Sequence, residues 1–338
     1  MYKAEILADS LSPSGDRLTT MKVTFPRIVL AEFNTHRMFS RNSASSRAIP
    51  FKKMVETVQE KPFIPIAWQK DHKGMQGTEY FSDELSIEFA KSNWLTARDN
   101  AVKGAMSLHS TDNGYSSVTK QLCNRLLEPF MWHTVIVSAT HWENFFELRC
   151  PQYQDPEGSL FRSKKDYTNK SQWKGSKKWS LIDWLGCNYS QADIHIQAIA
   201  ELMWDAYNKS KPKSLKSGDW HIPFGDKLEN ISLVEVIKIA TARCARISYQ
   251  TLGDRPAINH KADLKLHDTL VKYKHWSPLE HIARVMTDLE YESFYKGNYA
   301  NINHTGLGTN QGWCNNFRGF IQYRYIEENR KFTNYEKV

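Results

Sequence analysis

The sequence lacks the long apolar runs and leader pattern of a membrane or secreted protein. No stretch of its 338 residues approaches the roughly 20 consecutive apolar residues that cross a bilayer. The first seven residues do not show the basic, apolar and small-residue regions of a secretory signal. We therefore expect a cytoplasmic protein with no membrane partner.

Cysteine is scarce and scattered. The five cysteines are an odd number, and none belongs to a C-x-x-C pair. Disulfide frameworks and structural zinc sites usually rely on closely spaced or paired cysteines. The pattern indicates reduced thiols, and no metal site is expected.

The common nucleotide-binding fingerprints are also missing. The sequence contains no G-x-x-x-x-G-K-[ST] loop and no G-x-G-x-x-G after a predicted strand. A phosphate-bearing ligand would then be held by side chains, and arginine suits this task because its planar guanidinium donates two parallel hydrogen bonds. The arginines in hydroxyl-rich or aromatic surroundings are Arg37, Arg41, Arg47, Arg125 and Arg149.

The composition that remains is that of a basic globular protein. Hydrophobic residues make up 41% and charged residues 24% of the chain, and the formal net charge is +8. A basic balance favours an anionic partner, which can be a nucleic acid, an acidic surface or a phosphorylated small molecule. Charge alone does not choose among them.

Periodicity predicts strands near the start of the chain and helices later. Met21, Val23 and Phe25 alternate with polar residues as in a half-buried strand. Ser232 followed by Glu235 is a capping-box pattern that opens a helix. Helices are predicted over 117–128, 192–207 and 232–246, and around 266–273. The apolar run 135–148 is compatible with strand or helix, and helix is favoured.

Four other stretches differ from these regular segments. The stretch 153–190 interleaves lysines with tryptophans and is interpreted as an insertion, either a basic surface excursion anchored by its tryptophans or an anion-binding flap. A subdomain break is possible near 210–228, within a single domain that spans 1–338. The stretch 35–47 is predicted to be a polar loop, and 316–324 echoes 32–37 as a weak internal repeat.

Several blocks of this sequence resemble the flavin-dependent thymidylate synthases. The loop 36–47 is similar to that family's signature, an R-H-R followed by S-x-N-x-x-S-x-R. Farther along, 125–129, 144–149 and 192–197 resemble its R-x-x-L-P, N-F-x-x-L-R and A-Q-x-E-I-Q elements, in the family's order.

A last block resembles the family's N-terminal region. It comprises 242–248 and 275–281, which are similar to A-R-x-S and to H-x-[ST]-P-F-E-H. Because this block lies near the C-terminus here, the chain is interpreted as a circularly permuted or partly duplicated relative. The blocks together cover roughly half of the sequence.

The resemblance implies a fold and an activity. The fold would be α+β, with a mostly antiparallel sheet and helices to one side, in a homo-oligomer with shared active sites. The enzyme would transfer a one-carbon unit from methylenetetrahydrofolate to C5 of dUMP, using FAD that is reduced by NADPH.

The resemblance also assigns residues by position. Arg149 is the catalytic residue, placed at the uracil ring so that the ring anion is stabilised and C5 becomes nucleophilic. The residues implied to bind the substrate are Arg47, Ser45, Ser43, Arg125 and Arg149. Those implied to bind or adjoin the flavin are His36, Arg37, Ser138, Asn144, Ser248, Ser277, Glu280 and Arg324, and His275 would line the mouth of the site.

This sequence departs from the family pattern at three positions. Thr35, Ser43 and Thr140 stand where the family has two arginines and a glutamate. The losses remove charge near the flavin phosphate and the nucleotide. Side chains of the C-terminal echo are expected to compensate, namely Arg318, Gln322 and Arg324.

Other interpretations stay open at this point. The arginines can be surface ion-pair partners, and His36 can be a hydrogen-bonded structural histidine. A hydroxymethylase of dUMP or dCMP would use the same phosphate-binding arginines. A nucleic-acid-binding protein would instead use the basic, tryptophan-containing stretch 153–190 to stack bases.

Overall fold

The fold is seen in a computed structural model of the whole chain. The structure describes residues 1–74, 77, 79–111, 116–172, 179–225, 228, 231–247, 259–297 and 312–329. Statements below refer to these residues.

Helices and strands alternate along the chain. The strands are β1 (Lys3–Leu11), β2 (Arg17–Pro26), β3 (Ser40–Ser43), β4 (Trp132–Ala139), β5 (Tyr153–Gln154), β6 (Leu160–Phe161), β7 (Lys213–Ser214), β8 (Trp220–His221), β9 (Ala283–Val285), β10 (Trp313–Cys314), β11 (Phe317–Arg318) and β12 (Phe320–Gln322). The α-helices are α1 (Leu30–Asn34), α2 (Phe51–Glu60), α3 (Glu84–His109), α4 (Lys120–Cys123), α5 (Glu143–Arg149), α6 (Lys164–Lys170), α7 (Leu181–Gly186), α8 (Ile194–Lys209), α9 (Leu233–Arg246), α10 (His260–Lys272), α11 (Asp288–Gly297) and α12 (Tyr323–Asn329). Three 3₁₀ turns cover Arg27–Val29, Asn124–Phe130 and Ser277–His281.

A five-stranded sheet in the order β3-β4-β2-β1-β7 forms the centre. Its pairs are antiparallel except for the short parallel contact of β7 with β1. A three-stranded antiparallel sheet, β12-β9-β8, lies beside it. The α+β class with mostly antiparallel sheets is confirmed.

Helices cover both faces of the central sheet. Val135 and Val137 of β4 lie in one core cluster with residues of α5 and α8. Ile136, which points to the opposite face because side chains alternate along a strand, packs with α9 and the turn Ser277–His281. The expectation of helices to one side was therefore wrong, and the unbroken apolar run of β4 follows from burial on both faces.

Two predicted helices differ from the structure. The first half of 135–148 is strand β4, because its β-branched residues are paired on both sides by β2 and β3, and only the second half is helical, as α5. The helix predicted over 117–128 shortens to α4 and passes into the 3₁₀ turn Asn124–Phe130, which contains Pro129. Arg125 therefore lies on a 3₁₀ turn.

The polar loop and its echo were also predicted incorrectly. The stretch 35–47 contains β3, a short polar edge strand. Its supposed repeat does not share a structure, since 32–37 is the end of α1 and a turn whereas 316–324 holds β11, β12 and the start of α12.

Other expectations are confirmed. Helix α8 covers the predicted 192–207, and α9 opens with the Ser232 side chain accepting a hydrogen bond from the Glu235 amide. Helix α10 corresponds to the helix predicted around 266–273. No helix among the described residues is both long and apolar enough to cross a membrane.

The described part of 153–190 is held by aromatic packing. The Trp179 and Trp184 rings lie 4.6 Å apart, and both contact Tyr167. Lysines 174, 177 and 178 of the same stretch lie outside the described residues. The segment 210–228 contributes β7 and β8, which pair with β1 and β9.

Candidate active site

Five charged or imidazole side chains from separate elements form a linked group, which we call the polar row. Its members are Arg149, His36, Arg41, Glu280 and Arg324. They come from the end of α5, the turn after α1, strand β3, the turn Ser277–His281 and the start of α12. Only the fold brings them together, since up to 288 sequence positions, from 36 to 324, separate them.

His36 and Arg149 form the first link. The Arg149 Nε–H donates to His36 Nε2 over 3.0 Å, and the Arg149 Nη2 donates to the Thr35 hydroxyl over 3.3 Å. The imidazole is 9% exposed and packs edge-on against Phe145, with ring centres 4.9 Å apart. Because arginine only donates, this contact assigns the imidazole proton to Nδ1.

The electrostatics keep this imidazole neutral. Burial, followed by the positive charges of Arg149 and Arg41, lowers the pKa of His36 to about 4. A neutral imidazole leaves the guanidinium charge of Arg149 uncompensated. The pair therefore orients a cation without neutralising it.

Arg41 forms the second link. Its Nη1 donates to the backbone carbonyls of Phe33 and His36, each over 3.3 Å. Burial lowers the pKa of Arg41, and the carboxylate of Glu280 acts in the opposite direction. The guanidinium is thus hydrogen-bonded to the segment 33–36 and lies in the electric field of Glu280, without an ion pair to it among the described residues.

Glu280 and Arg324 form the third link. The Arg324 Nη1 donates to Glu280 Oε1 over 2.5 Å, and its Nε donates to Glu328 Oε2 over 3.1 Å. Hydrogen bonding to Glu328, and next to Glu280, raises the pKa of Arg324. Arg324 thus faces two carboxylates.

Polar side chains on the buried face of β3 fasten this strand to the C-terminal elements. The Gln322 Nε2 donates to Ser40 Oγ over 2.9 Å. The Ser277 hydroxyl donates to Asn42 Oδ1 over 3.2 Å, and the Asn42 Nδ2 donates to the Cys244 carbonyl over 2.7 Å. These bonds explain why a polar edge strand is stable in the interior.

A second group of predicted residues lies where the chain after β3 meets the turn Asn124–Phe130. The Asn124 Nδ2 donates to the carbonyls of Ser46 and Ile49, and the Ser46 hydroxyl donates to Glu128. Arg47 is exposed and donates to the Gln121 side chain over 3.0 Å. Arg125 on the turn is also exposed. The two arginines predicted to bind phosphate therefore stand on two segments that are tied together.

Four of the predicted arginines carry uncompensated charge. Among the described residues, none of Arg37, Arg47, Arg125 and Arg149 lies within 4.0 Å of a carboxylate oxygen. Surface arginines commonly form such pairs. The positive charge of these four arginines is therefore not neutralised by a neighbouring carboxylate of the described chain.

Some predicted residues lie elsewhere. Ser138 is fully buried in β4, where its hydroxyl contacts Thr20 and His281, so it does not face the polar row. Asn144 is exposed at the start of α5, and Ser248 lies outside the described residues. Arg318 is directed to Tyr291 and Asp16.

The remaining predicted residues are partly accessible. Ser43 and Ser45 are half-buried, on β3 and just after it, and His275 is exposed before the turn Ser277–His281. Ser40, Asn42 and His281 lie within the motif-like blocks 36–47 and 275–281, but no role was predicted for them, because their roles depend on contacts with distant segments.

No protein-family model matches this sequence, and no curated protein matches it. Among solved structures, it is similar to a UMP/dUMP methylase, PolB, from Streptomyces cacaoi. For that enzyme bound with 5-Br dUMP, the identity is 12%, the TM-score is 0.41, and the match covers 62% of this chain and 91% of that one. For the form bound with 5-Br UMP, the values are 14%, 0.39, 62% and 89%.

Proposed function

We propose that this protein is a flavin-dependent enzyme that transfers a one-carbon unit from methylenetetrahydrofolate to C5 of dUMP. The observation that carries the proposal is the His36–Arg149 pair, in which a neutral, buried imidazole holds an uncompensated guanidinium. The motif resemblance assigns the same two residues to one active site.

Arg149 supplies the electrostatic part of the chemistry. Its Nε is occupied by His36, and its terminal nitrogens keep N–H groups for a ligand. A fixed cation beside the uracil ring stabilises the negative charge that makes C5 nucleophilic, and it does so without reorganisation during the reaction.

Arg47 and Arg125 hold the nucleotide phosphate. Both are exposed and lack a carboxylate partner among the described residues, and their segments are joined through Asn124. Guanidinium groups bind phosphate by two parallel hydrogen bonds. Ser43 and Ser45 donate nearby.

Two residues of the polar row, His36 and Glu280, and two residues next to it in sequence or space, Arg37 and Ser277, suit a flavin by their chemistry. Arg37 is exposed without a carboxylate partner in the described chain, which suits a flavin phosphate. His36, Ser277 and Glu280, together with Arg37, would hold FAD, whereas Arg324 is neutralised by two carboxylates and serves to fix Glu280. When bound, reduced FAD supplies the hydride that completes the methyl group, and NADPH supplies the reducing equivalents.

The test is a purification followed by product analysis. The protein is expected to bind FAD with a visible flavin spectrum, and to convert dUMP, methylenetetrahydrofolate and NADPH into a methylated nucleotide, read by mass. Arg149→Ala is expected to abolish turnover, while Arg98→Ala, an arginine on α3 paired with Asp99, serves as the matched control. A hydroxymethylated product would indicate the hydroxymethylase instead, and a protein that neither binds FAD nor acts on dUMP or dCMP would refute the proposal.

A further inference from the structure

Five buried side chains form a continuous hydrogen-bonded chain through the central sheet, which we call the buried chain. Ser10 Oγ lies 2.8 Å from His221 Nδ1, and His221 Nε2 lies 2.8 Å from Thr20 Oγ1. Thr20 Oγ1 lies 2.6 Å from Ser138 Oγ, which lies 2.8 Å from His281 Nδ1. Each of the five residues is 5% exposed or less. The buried chain therefore joins β1, β8, β2 and β4 to the turn Ser277–His281.

The two imidazoles of the buried chain are neutral. Burial lowers the pKa of His221 and of His281 to about 3, and for His281 the neighbouring His221 adds to the effect. Asp9 acts on His221 in the opposite direction. Each imidazole thus carries one proton, and each hydroxyl also has one to donate.

If the Thr20 and Ser138 hydroxyls, for which the described residues offer no other acceptor, both donate within the buried chain, the bonds can run in two directions. In the first, His281 Nδ1–H donates to Ser138, which donates to Thr20, which donates to His221. In the second, every bond is reversed and His281 carries its proton on Nε2. That nitrogen has no hydrogen-bond partner among the described residues, and a buried unpaired N–H is rarer than a buried unpaired acceptor. The first direction is therefore favoured.

The end of the buried chain adjoins the polar row. His281 follows Glu280 directly, and Ser277 at the start of the same turn is bonded to Asn42 of β3. Leu279 and Ile282, on either side, pack with Ile136 of β4. The turn is thus held to the sheet by apolar contacts, by the bond from Ser277 to Asn42 at its start and by the bond between His281 and Ser138 at its end.

We propose that His281 is a positioning residue, whose Nδ1–H bond to Ser138 sets the rotation of the turn Ser277–His281 and so places Ser277 and Glu280 for FAD. Ser138 acts through the same bond and does not touch the cofactor. The part that concerns FAD rests on the proposed function above.

The direction of the buried chain is measured by long-range ¹H–¹⁵N NMR of the histidine rings. The expected result is an Nδ1–H tautomer for His281 and His221. Thr20→Val removes one hydroxyl at nearly constant volume. In this variant His281 is expected to be a mixture of the Nδ1–H and Nε2–H tautomers instead of a single one. The matched control is Thr24→Val, at another threonine of β2, which removes the hydroxyl contact of Thr24 with Thr134 of β4. This variant is expected to leave the tautomer of His281 unchanged. An Nε2–H tautomer of His281 in the wild-type protein would overturn the proposal.

Positioning is measured by FAD affinity in two variants of His281. Asparagine places its amide nitrogen near Nδ1, whereas glutamine places it near Nε2. We expect His281→Asn to bind FAD within about threefold of wild type, and His281→Gln to bind about tenfold more weakly or worse, since it leaves Ser138 without its donor. Equal affinities of the two variants would contradict the positioning role.

Different results would refute the proposed function and the positioning role of His281. Wild-type protein that does not bind FAD would refute the proposed function. The tautomer of His281 and the urea midpoints of the Asn and Gln variants, expected to be higher for Asn, would then still decide the direction of the buried chain.

Discussion

Because three of its histidines are buried and uncharged, we expect this protein to lose stability in weak acid. Burial lowers the pKa of His133, His221 and His281 to about 3 in the folded state, whereas an unfolded histidine has a pKa of about 6.5. The unfolded chain therefore binds more protons than the folded one below pH 6.5. Their contribution to stability is complete above that pH and is lost as the pH falls towards 3.

The magnitude follows from the same values. From pH 7 to pH 5, each of the three histidines lowers the free energy of unfolding by about 2 kcal/mol, so together they lower it by about 6 kcal/mol. A typical domain is stable by about 5–15 kcal/mol, so this loss is a large share. Glu201, whose pKa is raised chiefly by burial, offsets part of it. Carboxylates with lowered pKa values change the free energy of unfolding only below pH 5, outside the range from pH 7 to pH 5.

Urea unfolding at pH 7, 6 and 5 measures the effect, followed by circular dichroism and tryptophan fluorescence. His281→Asn, which cannot titrate here, is expected to reduce the loss between pH 7 and pH 5 by about 2 kcal/mol. A wild-type free energy of unfolding that changes by less than about 1 kcal/mol over this range would refute the reasoning, because it would mean that these histidines ionise normally.

Three further predictions concern the polar row and its supports. Arg149→Ala is expected to lower the turnover rate with dUMP by a factor of about 10²–10³, as for the loss of one preorganised electrostatic donor. A decrease in the turnover rate of less than about threefold would argue against a catalytic role. Arg47→Ala and Arg125→Ala are each expected to raise the KM for dUMP by about tenfold, as for a lost charged hydrogen bond, with little change in kcat; a change in kcat alone would contradict the phosphate assignment. Asn42→Ala is expected to lower the free energy of unfolding by about 1–3 kcal/mol because it leaves buried groups unpaired, measured in urea against the half-buried control Ser43→Ala.

Local patterns predicted three of the helices, α8, α9 and α10, but not α3, the 26-residue helix. Helices α8 and α9 were predicted from spacing and from the Ser232–Glu235 pattern, which depend on residues within a few positions of each other. The same reasoning failed for β4, because an apolar run buried on both faces has no alternation to separate strand from helix.

The polar row was predicted as a set of residues but not as a geometry. Motif resemblance selected His36, Arg149 and Glu280, and the C-terminal echo selected Arg324; the structure joins them as two pairs, His36 with Arg149 and Glu280 with Arg324. Arg41 was noted only as a candidate phosphate ligand. Its carbonyl contacts depend on how β3 folds back against the turn after α1, which sequence spacing does not encode.

The polarity of β3 illustrates the same limit. A stretch of serine, arginine and asparagine predicts a loop, and it becomes a strand because Gln322 and Ser277 satisfy its buried side chains. Ser138 differs from its prediction in another way. The motif resemblance implied that it contacts the flavin, but it lies inside the sheet as part of the buried chain.

The central claim is tested most directly by one incubation of the purified protein with FAD, NADPH, methylenetetrahydrofolate and dUMP, with the nucleotide product read by mass spectrometry. The account predicts bound flavin and a product heavier than dUMP by one methyl group in place of hydrogen, formed by wild type and by Arg98→Ala but not by Arg149→Ala. Unchanged dUMP with wild-type protein that binds no flavin would contradict it.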